Sequence, residues 1–529
     1  MQRNIIRSIF ILSMPAMLAM AGCSKKFEQY SQNSNLPQHV PPGLVLRSIL
    51  NSLVVFPGDW PDKADQFIAS NYTYYGDNKY WTGSATLNYG DLNNVLSMEA
   101  EAKRAAGSDN NPYHALGFFL RAWFFVSMSE KVGDLPMNDA LKGTANPAPK
   151  YDSQRDIFKQ SLDWLDSANT MLASFINNGF LEFSGDWYYQ ETAAYSDATG
   201  RNALIEWQKV VNSFRLRVLL ELSKRASDAA DLDIPQQFAN IVNNPDKYPI
   251  FTDNADNLQY VYNSVYNYYP DNPGNYGNNA GRLNLGSTLL TTLGQLHDLR
   301  AMVLAEPARG LGHSDTSYLS FAGAPLGADL SVLATLSGAG QISLYNYNHF
   351  YSTYTAEPTL ILSYAEVCFC VAEGINRGWA SGDAASWYAN GIKAMFAFYG
   401  IKDGDNTVVF RNAGGTANLT YTVHFSFSDY LSQPAVAYKG NNADGLAQIL
   451  TQKYLAYARN SGLQAYYQWR RTGIPAFNTG TGTGNGGKIP LRFQYPTNEI
   501  TSNGTNYQAA LQSQYGGADD INAQMWLIK

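Results

Sequence analysis

Two clusters of aromatic residues carry the side chains that could recognise a ligand. The first cluster comprises Tyr72, Tyr74, Tyr75, Tyr80 and Trp81. The second comprises Tyr260, Tyr262, Tyr266, Tyr268, Tyr269 and Tyr276, interleaved with Asn263, Asn267, Asn275 and Asn278. Aromatic faces stack on the apolar faces of sugar rings or peptide groups, and amide side chains supply orienting hydrogen bonds. These clusters therefore predict a binding surface for an oligosaccharide or a peptide.

The predicted ligand contacts lie in both clusters. They are Tyr266, Tyr268, Tyr269, Tyr276 and Asn278 in the second cluster, and Tyr75, Tyr80 and Trp81 in the first. The alternative is structural, because tyrosines at positions 260, 262, 266 and 268 alternate like one face of a strand packed on the body of the protein. Exposure of the rings distinguishes the two interpretations.

The chain has none of the common catalytic or metal-binding patterns. HExxH, GxSxG, Walker A and paired CxxC motifs do not occur. The six histidines are scattered, so no metal site and no cofactor is predicted. The segments Asp253-Asn-Ala-Asp-Asn and Asp403-Gly-Asp-Asn carry oxygen ligands, yet their spacing does not match an EF-hand. Turn formation explains both, and a calcium site is the minor alternative.

Several charged residues nevertheless leave an enzymatic alternative open. The pairs Glu99/Glu101 and Glu366/Glu373 could act as the two carboxylates of a glycosidase. Both pairs fall on predicted helix surfaces, where solvated side chains are the commoner interpretation. Arg470-Arg471 could clamp a ligand, but a structural role at a helix end is favoured. The alternative functions are therefore a lipid-anchored glycosidase or peptidase, or a purely structural partner of another protein.

Composition favours a folded, acidic protein. Of the 529 residues 45% are hydrophobic and 15% charged, which argues against disorder. The net charge of −7 argues against a nucleic-acid partner, because no basic stripe is available to neutralise phosphates.

The N-terminus resembles a bacterial lipoprotein signal. Arg3 and Arg7 precede an apolar run that ends in Leu18-Ala-Met-Ala-Gly-Cys23, a lipobox-like sequence. We therefore predict a signal peptide at residues 1–22, lipidation of Cys23 and a polar tether at residues 23–38. No later segment has the apolar length of a membrane span. Residues 39–529 are predicted to form one body on a lipid anchor.

The body is organised around a predicted pair of helices. Residues 358–378 carry apolar side chains at helical spacing, with Pro358 expected in the first turn and Gly378 just past the end. Asp383 can cap a second helix that stops at Gly400, and small residues such as Gly391 allow close approach. Such a pair must bury its apolar face on similar pairs. The fold class is therefore mainly α, a TPR-like scaffold at residues 44–225, 358–400 and 443–475 with a loop-rich face at 251–351.

Motifs along most of the chain resemble those of the SusD/RagB family. The first is Ser363-Tyr-Ala-Glu-Val, followed by Ala372-Glu-Gly-Ile-Asn-Arg-Gly-Trp379. The others are Val132-Gly-Asp-Leu-Pro136, Asn212-Ser-Phe-Arg-Leu-Arg217, His297-Asp-Leu-Arg300, Trp469-Arg-Arg-Thr-Gly-Ile-Pro475 and Ile489-Pro-Leu-Arg-Phe-Gln-Tyr-Pro496. Val132 stands where the family usually has Tyr, and Leu299 where it has Pro.

The resemblance implies a nutrient-binding, surface-facing lipoprotein of the outer membrane. Such a protein captures an oligosaccharide or peptide and passes it to a TonB-dependent, SusC-like transporter. The family's ligand residues are not a fixed motif, so the resemblance identifies none in this chain.

Overall fold

The structure is a computed structural model that describes residues 39–529, apart from the side chains of Asp59, Tyr75 and Asn279. The predicted signal peptide, the tether and Cys23 lie outside the described residues. Residues 42–529 form one compact unit. Within residues 39–529, no helix is both long enough and apolar enough to cross a membrane.

The first half of this unit consists mainly of helices joined by loops, four of them long. They are α1 (Pro42–Leu50), α2 (Asp59–Ala64), α3 (Tyr89–Ala106), α4 (Pro112–Val132), α5 (Gln154–Asn178), α6 (Arg201–Glu221) and α7 (Ile234–Asn243). Successive helices pack on one another, with α3 on α4, α4 on α5 and α5 on α6. Side-chain caps start several of them: Ser153 accepts a hydrogen bond from the N–H of Asp156, and Asn111 one from His114.

Short elements lie mainly in the middle of the chain, except for one strand, β1, that follows α2. They are β1 (Ile68–Ser70), β2 (Leu258–Tyr260), α8 (Tyr276–Asn279), β3 (Leu283–Leu285), α9 (Ser287–Gln295), α10 (Arg300–Leu304), α11 (Leu330–Gly338) and α12 (Tyr347–Phe350). Strand β1 pairs antiparallel with β3. Loops connect these elements, so much of this region has an irregular backbone.

The remaining part returns to helix pairs. Its elements are β4 (Thr359–Leu362), α13 (Tyr364–Asn376), α14 (Ala384–Phe398), β5 (Gly404–Arg411), β6 (Asn418–Phe425), α15 (Phe427–Ser432), α16 (Ala443–Tyr457), α17 (Gln464–Thr472), α18 (Asn498–Ser502) and α19 (Gly504–Tyr515). Helix α13 packs on α14, α16 and α6, while β5 and β6 form an antiparallel hairpin. The fold is mainly α and TPR-like, as predicted.

The predicted helix pair is present, with one difference at its start. Residues 359–362 form strand β4, which pairs with β2, and the helix begins only after Ser363 caps the N–H of Glu366. Asp383 caps α14 through the N–H of Ala385, and a Cβ at Gly391 would lie 2.7 Å from the ring of Phe369. Only glycine at position 391 therefore permits this close approach of α13 and α14.

Most buried apolar side chains form one continuous core that runs through the whole unit from α1 to the C-terminus. The family-like motifs lie within it. Arg300 and Asp298 form a completely buried bidentate pair, and Tyr430 donates a hydrogen bond to the same carboxylate at 2.6 Å. These motif residues therefore hold the body together instead of facing a ligand.

Candidate functional site

The segment from the end of α1 to the start of α2 contacts both aromatic clusters. The ring centroid of Phe56 lies 5.1 Å from that of Tyr260, and the centroid of Trp60 lies 6.0 Å from that of Trp81. Phe56 is 43% exposed and Trp60 is 46% exposed. We call Phe56, Trp60, Trp81 and Tyr260 the aromatic tract. Phe56 and Trp60 are its exposed members, whereas Tyr260 is buried beneath Phe56 and Trp81 is partly buried beside Trp60.

Trp60 is held in place by a support of other rings. Trp81 stacks on Phe493 with 4.1 Å between centroids and 6° between ring planes, and Trp60 meets both rings edge-on. The indole N–H of Trp81 donates to the carbonyl of Arg492 at 2.8 Å. The Trp60 indole is thus positioned before any ligand arrives, which lowers the entropic cost of binding.

A cavity of about 300 Å³ lies against Trp60 and Trp81. Its lining also includes Tyr80 and the polar residues Lys63, Asp77, Asn78 and Lys79. Lys79 pairs with Asp77 at 3.0 Å. An aromatic wall beside such polar groups can bind a sugar ring, since the wall stacks on its apolar face and the polar groups bind its hydroxyls.

A second cavity, of about 260 Å³, also borders Trp60. Val55 and Trp60 stand at its exposed end, and it reaches residues of α4 and α17 inside the helical scaffold. Trp60 therefore lines both cavities.

Three of the predicted contacts in the second cluster are exposed. Tyr266 is 84% exposed, Tyr268 is 45% exposed, and Asn278 is exposed as well. Asn263 holds this turn, because its side-chain oxygen accepts hydrogen bonds from the N–H groups of Val265 and Tyr266. These three side chains are exposed to solvent, and their role in binding stays a prediction.

The other two tyrosines of the predicted platform turn inward. Tyr269 is completely buried, with its ring 5.1 Å from that of Tyr262 and stacked near Phe350. Tyr276 is partly buried against the ring of Tyr351. The four tyrosines therefore do not form one exposed platform, and Tyr269 is a core residue that a surface ligand cannot reach.

In the first cluster, Tyr80 and Trp81 line the cavity beside Trp60. Tyr80 is almost completely buried, and only a small part of it faces the cavity. Its hydroxyl donates to the carbonyl of Ala64 at 2.8 Å. The side chain of Tyr75 lies outside the described part of the structure. The structure thus brings two of the three predicted residues of this cluster to one cavity.

Phe56 and Trp60 were not among the residues predicted from the sequence. The only sequence signal was the run Phe56-Pro-Gly-Asp-Trp60-Pro, in which two aromatic residues occupy a turn-rich segment. Such residues are most often buried, and their exposure here depends on the packing of α2 against residues distant in sequence.

The carboxylates considered as a glycosidase pair are structural. Contrary to the expected solvated positions, Glu366 and Glu373 are buried. Arg217 binds both oxygens of Glu366 at 2.6 and 2.7 Å, and Arg471 binds Glu373 at 2.6 Å. Burial alone would raise the pKa of Glu373, but Arg471 and Arg377 bring it far below the usual value. Both groups are engaged by arginine and unsuited to acid–base catalysis.

The other candidate ionic sites also have structural partners. Glu99 pairs with Arg121, and the Asp403 carboxylate accepts from the N–H of Phe427 at 2.6 Å. Arg470 donates to the carbonyls of Glu130 and Leu491. Among the described residues, no three His, Cys, Asp or Glu side chains are grouped so as to hold a metal ion.

A family model described as "Starch-binding associating with outer membrane" matches residues 59–496. The chain belongs to the SusD-like family. The match includes the aromatic tract, from Trp60 to Tyr260 apart from Phe56, and most of the helical scaffold. The family is one of binding proteins associated with the outer membrane.

Solved structures share this fold. A SusD homologue from Bacteroides fragilis is 26% identical, with a TM-score of 0.78 over 93% of this chain and 100% of that chain. A second SusD homologue from B. fragilis is 28% identical, with a TM-score of 0.74 over 93% and 100%. A chitin-binding SusD homologue from Flavobacterium johnsoniae is 18% identical, with a TM-score of 0.63 over 92% and 98%. No curated protein matches the chain.

Proposed function

We propose that this SusD-like protein captures an oligosaccharide at the aromatic tract and delivers it to a SusC-like, TonB-dependent outer-membrane transporter. The observation that carries the proposal is the half-exposed indole of Trp60, which is held by Trp81 and Phe493 and borders two cavities. A preorganised indole with polar neighbours suits the alternating apolar and hydroxylated faces of a sugar chain.

A glycan is favoured over a peptide for two reasons. The family description names starch, and a homologue of the same fold binds chitin. Both polymers present pyranose rings that stack on indole. In this proposal the protein binds and releases its ligand intact, because the candidate carboxylates Glu366 and Glu373 form ion pairs with Arg217 and Arg471.

Replacing Trp60 with alanine is expected to weaken glycan binding about thirtyfold, because a central aromatic anchor contributes about 2 kcal/mol. Calorimetric titration with maltoheptaose and chitohexaose measures the effect. Trp387→Ala is the matched control, since Trp387 is also partly exposed but lies on α14 and lines neither cavity. Unchanged affinity in Trp60→Ala would reject the tract as the site. Binding of peptides instead of either glycan would reject the ligand class.

We also propose that Cys23 carries the lipid that anchors the protein at the cell surface. The lipobox-like sequence before Cys23 motivates this proposal. In cells fed a labelled fatty acid, the wild-type protein is expected to become labelled and Cys23→Ser to remain unlabelled. Equal labelling of both proteins would show that Cys23 is not the attachment site.

A further inference from the structure

Arg459 is a buried arginine whose side chain bonds to two parts of the chain that carry exposed aromatic rings. It lies in the loop between α16 and α17, is 2% exposed, and has a backbone φ of 59°, in the left-handed region. A residue other than glycine seldom adopts this conformation and keeps it only where its surroundings hold it firmly. The position of Arg459 therefore depends on the contacts of its side chain.

The first contact is with the turn that presents Phe56 and Trp60. The Nε–H of Arg459 donates to Oδ2 of Asp62 at 3.3 Å, and the N–H of Gly58 donates to the same oxygen at 2.7 Å. Gly58 lies between the two exposed aromatic residues, and Asp62 follows them in α2. The Asp62 carboxylate therefore fastens the turn to α2, and Arg459 fixes the carboxylate.

The second contact is with the loop that follows the exposed tyrosines of the second cluster. The Nη2–H of Arg459 donates to Oδ2 of Asp271 at 2.7 Å, and the hydroxyl of Tyr351 donates to Oδ1 of the same carboxylate at 3.3 Å. Asp271 follows Tyr268 closely in the sequence. One guanidinium thus joins the turn at residues 56–60 to the loop of the second cluster.

The charges in this network make Arg459 hard to replace. Asp62 and Asp271 are both buried, and each forms its only ion pair in the described part of the chain with Arg459. Burial raises the pKa of Asp62, and Arg459 and the N–H of Gly58 oppose this rise. Without the guanidinium, two buried carboxylates would have no counter-ion, and their repulsion and hydration would move the turn and the loop apart.

Two aromatic rings also contact the guanidinium. Its Cζ lies 4.3 Å from the ring centroid of Tyr345 and 4.7 Å from that of Phe350. Both rings are buried, and cation–π contacts are strongest where water is excluded. The guanidinium of Arg459 is therefore held in place independently of any ligand.

We propose that Arg459 is a positioning residue for glycan binding, which holds the turn with Phe56 and Trp60 at a fixed spacing from the second cluster so that one oligosaccharide contacts both. This inference rests on the proposed function, because it takes the aromatic tract to be the binding site. It adds that the site extends from Trp60 to the exposed rings of Tyr266 and Tyr268. The affinity for long glycans then depends on a buried residue that touches no ligand, because surfaces fixed in advance lose less entropy on binding.

Glycan length tests this role, because a short glycan can occupy Trp60 without reaching the second cluster. Wild-type protein is expected to bind maltoheptaose at least about tenfold more tightly than maltotriose in calorimetric titration. Arg459→Met and Asp271→Leu are expected to weaken maltoheptaose binding about tenfold, since a displaced second surface no longer adds to affinity. Both variants should change maltotriose binding less than about twofold, because distant contacts act independently. Chitohexaose and chitotriose form a second pair of probes.

Two further variants separate positioning from stability. Asp271→Asn keeps an oxygen that accepts from Arg459, so it is expected to retain most of the affinity for maltoheptaose. Arg300→Met removes another arginine of a buried ion pair, one that lines neither cavity beside Trp60. It should lower thermal stability and leave the affinity of the folded protein for both glycans unchanged.

The inference and the proposed function fail in distinguishable ways. If Arg459→Met does not fold, Asp271→Leu decides, because it leaves Arg459 paired with Asp62. A wild type that binds short and long glycans equally tightly overturns the inference alone. So does an Asp271→Leu variant that binds both like the wild type, or that loses affinity for both to the same extent, since Arg459 then serves stability only. A wild-type protein that binds none of the four glycans overturns both proposals.

Discussion

Replacing Arg217 with methionine is expected to lower the free energy of unfolding by about 3–5 kcal/mol. Arg217 donates two hydrogen bonds to Glu366 and one to the carbonyl of Ile361 at 2.9 Å, and all of these groups are buried. Without the guanidinium, the carboxylate of Glu366 keeps one hydrogen-bond donor among residues 39–529, the hydroxyl of Tyr457 at 3.1 Å. A buried charge without its counter-ion is among the most destabilising defects a core can carry.

A double variant separates the cost of the unpaired charge from the worth of the ion pair. Arg217→Met with Glu366→Met removes both charges, and it is expected to recover most of the lost stability. Lys142→Met is the exposed control: its pair with Asp139 is solvated, so the change should cost less than about 1 kcal/mol. Urea unfolding measures all four proteins. A single variant as stable as the wild type would show that the pair does not hold α6 to α13.

The helical scaffold was predictable because the signals that define each helix, its caps and its small contact residues, lie close together in the sequence. Asp383 caps α14 and Gly391 provides a close approach, as the sequence indicated. The start of α13 was not predictable in the same way. Leu360 and Ile361 fit the helical spacing of the apolar residues that follow them, but the short apolar run at residues 360–362 fits a buried strand equally well. Pairing with β2, which lies far away in the sequence, decides in favour of the strand.

The binding surface was less predictable, because exposure depends on tertiary packing. The motifs that resemble the family lie in the core, where Arg217, Glu366, Glu373 and Arg471 form ion pairs between helices. Because these motif residues are needed for packing of the scaffold, they identify the fold and do not identify the ligand site. Trp60 belongs to no such motif, and only the positions of Trp81 and Phe493 show that its ring is presented at the surface.

The contrast between two neighbouring tyrosines leads to the second large effect. Tyr269→Ala is expected to lower the free energy of unfolding by about 3–5 kcal/mol, because it empties a completely buried site between Tyr262 and Phe350. Tyr266→Ala removes a ring that is 84% exposed, and its expected effect on stability is within about 0.5 kcal/mol. Thermal and urea unfolding of the two variants measure this difference.

Tyr269→Phe separates the contribution of ring packing to stability from the contribution of the hydroxyl. The hydroxyl of Tyr269 is buried and has no hydrogen-bond partner in the described chain, so its removal is expected to leave stability unchanged or slightly higher. In glycan titrations, the folded fraction of Tyr269→Ala should bind like the wild type, whereas Tyr266→Ala should lose several-fold in affinity if the sugar chain extends beyond Phe56. Lost affinity with intact stability in Tyr269→Ala would return that ring to the binding surface and contradict its place in the core.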